Sequence, residues 1–221
     1  MKVGPENPLR VEKDDTAKLE CGVDAKPKVN SVKWERNGRF IDTLFMHTIP
    51  RVTLQDSGTY VCSADNGLGR VGKTDLKLEV LYGPVVSIQP AQRDYKEGDN
   101  IEVDCRVDAN PRPSTIQWFK EGDERFVQNG PTLRLNGVTA KDNGRYICSA
   151  TNLLQPTGKG KLKRVGNATI DVNIKHQPGK GFITSDQPKA VDGKKITLKC
   201  EADPPAYPKP NYKWMKKDNQ T

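Results

Sequence analysis

Apolar and polar residues alternate in short runs along most of this chain, the period of a strand that buries one face. Ala17, Leu19, Cys21 and Val23 share one side of such a run, Val32 and Trp34 one side of the next, and Leu76, Leu78 and Val80 one side of a later one. The same order returns with Ile101, Val103, Cys105 and Val107, then Ile116 and Trp118, then a final run over 168–174. Turn signals separate the runs: Asn37-Gly38, the Asn66-Gly67-Leu68-Gly69 stretch, and the proline-containing Asn110-Pro111-Arg112-Pro113. Leu44 to Ile49 reads as a further strand or strand pair, and Leu133, Leu135 and Val138 as inward positions of the second set. The expected fold class is all-β, with strands stacked as sandwiches.

A short motif organises both sets. Asp56-Ser57-Gly58-Thr59-Tyr60-Val61-Cys62 returns as Asp142-Asn143-Gly144-Arg145-Tyr146-Ile147-Cys148. Residues two apart on a strand share a face, so Tyr60 and Tyr146 enter the interior beside Cys62 and Cys148. A phenol buried there needs a backbone acceptor at the corner where the strand begins. Upstream of each copy lies a cysteine and then a tryptophan, Cys21 with Trp34 and Cys105 with Trp118, at matching distances. A third set begins with Cys200 and Trp214, and no second cysteine follows it.

This periodicity of roughly 100 residues predicts three units: 1–82, 83–175, and 176–221 as the first half of a third. Pairing is expected for Cys21 with Cys62 and for Cys105 with Cys148, with Cys200 left unpaired by truncation of its unit. Buried free thiols, as in cytosolic sandwich arrays, are the alternative. Trp34, Tyr60, Trp118, Tyr146 and Trp214 are the expected core aromatics, with Trp214 on a strand from Tyr212. The half unit is expected to be poorly ordered, because it would expose a raw sheet edge. The opening Met1-Lys2-Val3-Gly4-Pro5 lacks an apolar core of signal-peptide length, and Met1 reads as an added start on an excised piece.

Composition narrows the chemistry. Formal net charge is +8, from 36 basic and 28 acidic residues. No stretch approaches the apolar length of a membrane span. The two histidines, His47 and His176, stand apart, no Cys-x-x-Cys pair or metal-spaced cluster occurs, and Gly67-Leu68-Gly69 is a hairpin turn rather than a phosphate loop. Catalysis, a cofactor and a metal site are therefore not expected, nor is nucleic-acid binding. Asn167-Ala168-Thr169 and Asn219-Gln220-Thr221 are glycosylation acceptor triplets. Asn167 is expected at a loop-to-strand junction. The basic residues Lys159, Lys161, Lys163 and Arg164 are expected on a long exposed loop over 153–165, a candidate site for an acidic glycan or protein face. Phe119, next to inward Trp118, and Phe40, just past the Asn37-Gly38 turn, are the aromatic candidates for partner burial, with Phe45 and Met46 further along the same edge.

The two Cys…Trp…Asp-x-Gly-x-Tyr-x-Cys sets resemble immunoglobulin-superfamily domains of the short, I-set or C2-like kind. Gly4-Pro5-Glu6-Asn7-Pro8-Leu9-Arg10-Val11, Cys62-Ser63-Ala64-Asp65-Asn66-Gly67-Leu68-Gly69 and Asp203-Pro204-Pro205 resemble the echinoid and friend-of-echinoid family of insect cell-adhesion proteins. That resemblance implies an extracellular piece of a type I membrane protein at cell junctions. It also implies homophilic and heterophilic binding to the same or related molecules, and modulation of epidermal growth factor receptor and Notch signalling. Membrane attachment would come only through a segment absent from this sequence.

Overall fold

The computed structural model describes residues 1–89 and 94–215. In chain order the strands are β1 (Lys2–Gly4), β2 (Leu9–Glu12), β3 (Ala17–Gly22), β4 (Lys33–Arg36), β5 (Arg39–Asp42), β6 (Met46–Ile49), β7 (Gly58–Ala64), β8 (Gly72–Gln89) and β9 (Asp94–Lys96). They continue with β10 (Ile101–Asn110), β11 (Thr115–Lys120), β12 (Asp123–Asn129), β13 (Thr132–Leu135), β14 (Gly144–Leu154), β15 (Leu162–Lys175), β16 (Lys180–Ser185) and β17 (Leu198–Asp203). Two compact units emerge. One comprises Met1–Ser87, Arg106–Gln117 and Ser149–Ala168; the other comprises Ile88–Cys105, Trp118–Cys148 and Thr169–Thr221. The boundary expected between residues 82 and 83 is not a loop but falls inside β8.

In the first unit, β1, β3 and β6 form one sheet, and β8, β7, β4 and β5 lie in order in the other, with β2 running parallel beside β8. Leu19, Trp34, Leu76 and Leu78 are fully buried between them, with Cys21 bridged to Cys62 from one sheet to the other. The alternation along β3 and β8 is the reason: every second side chain is removed from water, and each aliphatic side chain so buried contributes roughly 1.5–3 kcal/mol. Asn37 and Gly38 both take positive φ, 52° and 73°, the mirror-image turn that suits the twist of the β4–β5 hairpin.

In the second set, β10 pairs with β13, and β12, β11, β14, β15 and β9 follow one another in a second sheet. Cys105 on β10 is bonded to Cys148 on β14, and Trp118, Leu133 and Tyr146 are fully buried. The connection after β14 is shorter than the sequence suggested. β14 continues to Leu154 and β15 begins at Leu162, because the residue-by-residue alternation persists through both.

The corner that leads into β7 and β14 is built the same way twice. The Tyr60 hydroxyl donates to the Asp56 carbonyl at 3.0 Å, and the Tyr146 hydroxyl to the Asp142 carbonyl at 2.9 Å. Burial first, then Asp142 and Asp123, push the Tyr146 phenol up to about 12, so it stays protonated and able to donate. Each aspartate also accepts from a threonine three residues earlier. Asp56 Oδ2 takes the Thr53 amide and hydroxyl at 2.7 and 2.8 Å, and Asp142 Oδ2 takes those of Thr139 at 2.8 and 3.0 Å. Gly58 and Gly144 follow at φ 147° and 141°, where a side chain would be strained. The motif is therefore longer than its sequence signature, beginning at Thr53 and Thr139.

Beyond β15, the antiparallel pair β16–β17 is described, with Phe182, Ile183 and Leu198 exposed. The expected strand from Tyr212 to Trp214 does not form; residues 211–215 have no regular structure. Trp214 is 51% exposed, which corrects its expected place in a core: nothing described covers it.

Candidate functional site

The outward face of β5, β4, β7 and β8 carries Phe40, one of the two aromatic candidates. Register sets it. Trp34 is inward and opposite Cys62, so its neighbours Lys33 and Glu35 must face out, opposite Ser63 and Val61. The two-residue Asn37-Gly38 turn pairs Arg36 with Arg39 and so places Phe40 opposite Glu35, on the outward side; the register shifts only beyond that pair, between Trp34 and Glu35. Across the next strand, Val61 stands opposite Asp75 and Ser63 opposite Lys73. The result is a ladder of Phe40, Glu35, Val61 and Asp75 beside a second of Lys33, Ser63 and Lys73.

Phe40 is 60% exposed and Val71, at the end of the connection from β7 to β8, is 52% exposed. Both line an open cleft of about 510 Å³ together with Val32, Lys33, Glu35 and Lys73. Lys33 Nζ lies 2.6 Å from Glu35 Oε1. That hydrogen bond, with the charges of Lys33 and Lys73 behind it, holds the Glu35 carboxyl below its ordinary range, so the face carries both signs around an apolar centre.

The edge next to this face is apolar as well. Leu44, Phe45 and Met46 are all exposed, although their backbone is anchored. The Trp34 indole donates to the Leu44 carbonyl at 2.9 Å, and the Cys21 amide to the Phe45 carbonyl at 2.8 Å. Asp42 fixes the approach to this segment. Its Oδ1 accepts from the Thr43 and Leu44 amides at 2.6 and 3.2 Å, and its Oδ2 shares a hydrogen bond with His47 Nδ1 at 2.9 Å. The His47 contact, followed by those two amides, holds the Asp42 carboxyl below its usual range, against the opposing effect of burial.

A pH dependence follows from that lowered value. The folded-state pKa lies below that of the unfolded chain, about 3.9. The stabilisation is therefore present above about pH 4 and is lost as pH falls through the lower, folded-state value. In acid titrations followed by chemical denaturation, the stability gap between the native chain and Asp42→Asn is expected to close on acidification. A gap that stays constant down to about pH 2 would exclude Asp42 as its source.

The other expected site residues are distributed differently. Phe119 is half-buried, and so a poorer anchor than its alternation implied. Lys159 and Lys161 lie on the connection before β15, and Lys163 and Arg164 on β15 itself, rather than all on a long loop. Two of the four are already engaged within the first unit. Arg164 makes a two-pronged pair with Glu12 at 2.7 and 2.9 Å, and Lys159 Nζ lies 2.7 Å from Asp15. Lys161 and Lys163 are exposed. Asn167 is exposed within β15, not at a loop-to-strand junction. Cys200 is unpaired and half-buried, and Asn219 lies outside the described residues.

One residue that the sequence reading passed over is central to the first unit. Asn152 is fully buried, and its amide donates to the Tyr82 carbonyl at 2.9 Å and the Pro111 carbonyl at 2.8 Å. Nearby, the Asn110 amide donates to the Val80 carbonyl at 2.8 Å, and the Tyr82 hydroxyl to Asp108 at 2.8 Å. The only sequence signal was a polar residue at an inward position of β14.

Comparison with known proteins adds the following. A family model described as immunoglobulin domain matches residues 2–66 and 83–152. The muscle M-line assembly protein unc-89 of Caenorhabditis elegans is 26% identical over 256 residues, covering 94% of this chain and 3% of that protein. Cell adhesion molecule 4 of Homo sapiens is 37% identical over 103 residues, covering 44% of this chain and 26% of that protein. The crystal structure of DIP-gamma IG1+IG2 is similar with a TM-score of 0.60 at 18% identity, covering 77% of this chain and 95% of that one, a likeness of fold. The chain thus spans a small part of the length of these two curated relatives.

Proposed function

The chain belongs to the immunoglobulin-domain family, and from that premise we propose that it is part of an extracellular adhesion protein. It would bind a second immunoglobulin-domain surface protein, the same or a related one, through the outward face of β4, β5, β7 and β8. The observation that carries this reading is Phe40, a large aromatic side chain held outward by a fixed hairpin, over a cleft rimmed by lysines and carboxylates. Aromatic anchors ringed by polar groups supply most of the energy in such contacts, and mixed charge gives register rather than bulk affinity. The name of cell adhesion molecule 4 supports the same reading. The two disulfides favour an oxidising, extracellular setting over a reducing one such as the name of the M-line protein suggests.

The narrower version of this reading places the chain with the echinoid and friend-of-echinoid proteins. It adds junctional localisation and modulation of epidermal growth factor receptor and Notch signalling, supported by the three matching stretches described above. The basic residues near β15 are the weaker candidate for a sulfated glycan, because Arg164 and Lys159 already hold Glu12 and Asp15.

Beads coated with the chain test the face directly. Phe40→Asp combined with Val71→Asp is expected to weaken bead-to-bead or bead-to-partner association by about 30-fold or more, the loss of one strong anchor. Its thermal midpoint should remain near that of the native chain, since both side chains are exposed. Undiminished association of the folded double variant would overturn the proposal. Loss of association on changing Lys161 and Lys163 to Glu instead would transfer the site to β15.

A further inference from the structure

We propose that Asn167 carries an N-linked glycan that covers the outward side of β15 around Val165. The triplet Asn167-Ala168-Thr169 has the acceptor pattern, with no proline in the middle position. Such triplets arise by chance, and the fold supplies what the pattern lacks. Along β15 the even positions Val172 and Ile174 are buried, so Lys163, Val165, Asn167, Thr169 and Asp171 take the opposite, outward side. Asn167 and Thr169 are both exposed, and among the described residues no hydrogen bond engages either side chain. A branched sugar at this point leaves the buried side of the sheet untouched, so the folded sandwich accommodates it.

The surroundings favour occupancy. Val165, two residues before Asn167 on the same side of β15, is 53% exposed, apolar surface that the carbon-rich faces of the first sugar rings can cover. The disulfides imply passage through the oxidising lumen in which transfer takes place. In the transfer, the Asn167 amide nitrogen bonds to the anomeric carbon of an oligosaccharide carried on a lipid pyrophosphate. The bond from that carbon to the pyrophosphate oxygen breaks, the lipid pyrophosphate leaves with the electron pair, and the amide gives up one proton. The consequence is a division of labour between surfaces: the outward side of β15 is withdrawn from protein contact, while the Phe40 face stays bare. The glycan itself does not depend on whether that face docks.

The test is the intact mass of the full chain secreted from insect or mammalian cells, before and after an amidase that removes N-glycans. The native chain and Thr169→Ser are expected to carry a sugar mass that the amidase removes, leaving aspartate at position 167. Asn167→Gln and Thr169→Ala are each expected to lose it, so that poor secretion of one variant leaves the other to decide. A native chain without sugar at Asn167 would overturn the proposal. So would a sugar mass that persists in full in Asn167→Gln, which would assign it to Asn219.

Discussion

Replacing Cys21 and Cys62 together by alanine is expected to cost about 4 kcal/mol of folding stability, as the chain-entropy account predicts for a closed loop of this length. The bond joins residues separated by 41 positions, and its two cysteines lie on facing sheets, Cys62 fully buried. Cutting it releases the unfolded chain from a long loop and also removes sulfur from the packed interior. Few domains of this size have stability to spare on that scale. Cys105 and Cys148, separated by 43, should show a loss of the same size. Urea denaturation of each double variant measures it. Cys200→Ser serves as the control and should change little, since Cys200 has no disulfide partner. A loss below about 1 kcal/mol for the double variants would show that packing alone holds the sandwich and that the bond is incidental.

Asn152→Leu is expected to be nearly as damaging, although the side chains match in size. It leaves the Tyr82 and Pro111 carbonyls, both in part-buried hydrogen bonds, without this donor. At about 1–3 kcal/mol for each such group, the cost is roughly 2–6 kcal/mol at most. Asn152→Asp should be at least as unfavourable: an ionised carboxylate cannot donate, and it would face two carbonyl oxygens in a buried setting. Denaturation midpoints of the three proteins check this order. If leucine proved neutral, the two hydrogen bonds would be replaceable by water, and Asn152 would not organise the segment.

The sandwich was legible because its signals are local. Period-two runs mark the strands, and Asn37-Gly38 demands its turn. Few residue types satisfy the corner, where a buried phenol must find a carbonyl and a glycine must take positive φ. Thr53 and Thr139 carry no sequence signal of their own, because threonine three residues before aspartate is common and acquires meaning only with the single 3-10 turns over Leu54–Asp56 and Ala140–Asp142 that they precede. The register shift at Trp34 and Glu35 was not readable either. It sets Trp34 opposite Asp42, and the alternation equally could not show that Phe119 is half-covered.

Determined by the sequence alone were the all-β class, the two cysteine pairings, the tyrosine corners and the inward places of Trp34 and Trp118, though not the expected one of Trp214. Each follows from residues close in the chain or from spacings that one packing arrangement explains. Tertiary structure alone decided which charged and polar groups are free. Arg164 and Glu12 are 152 positions apart, and Lys159 and Asp15 are 144 apart. No periodic pattern encodes such pairs; they exist because folding brings two polar segments together, at 2.7 Å for Lys159 and Asp15 and in a two-pronged contact for Arg164 and Glu12. The basic cluster read along the chain is therefore half neutralised in space, whereas Phe40 stays exposed.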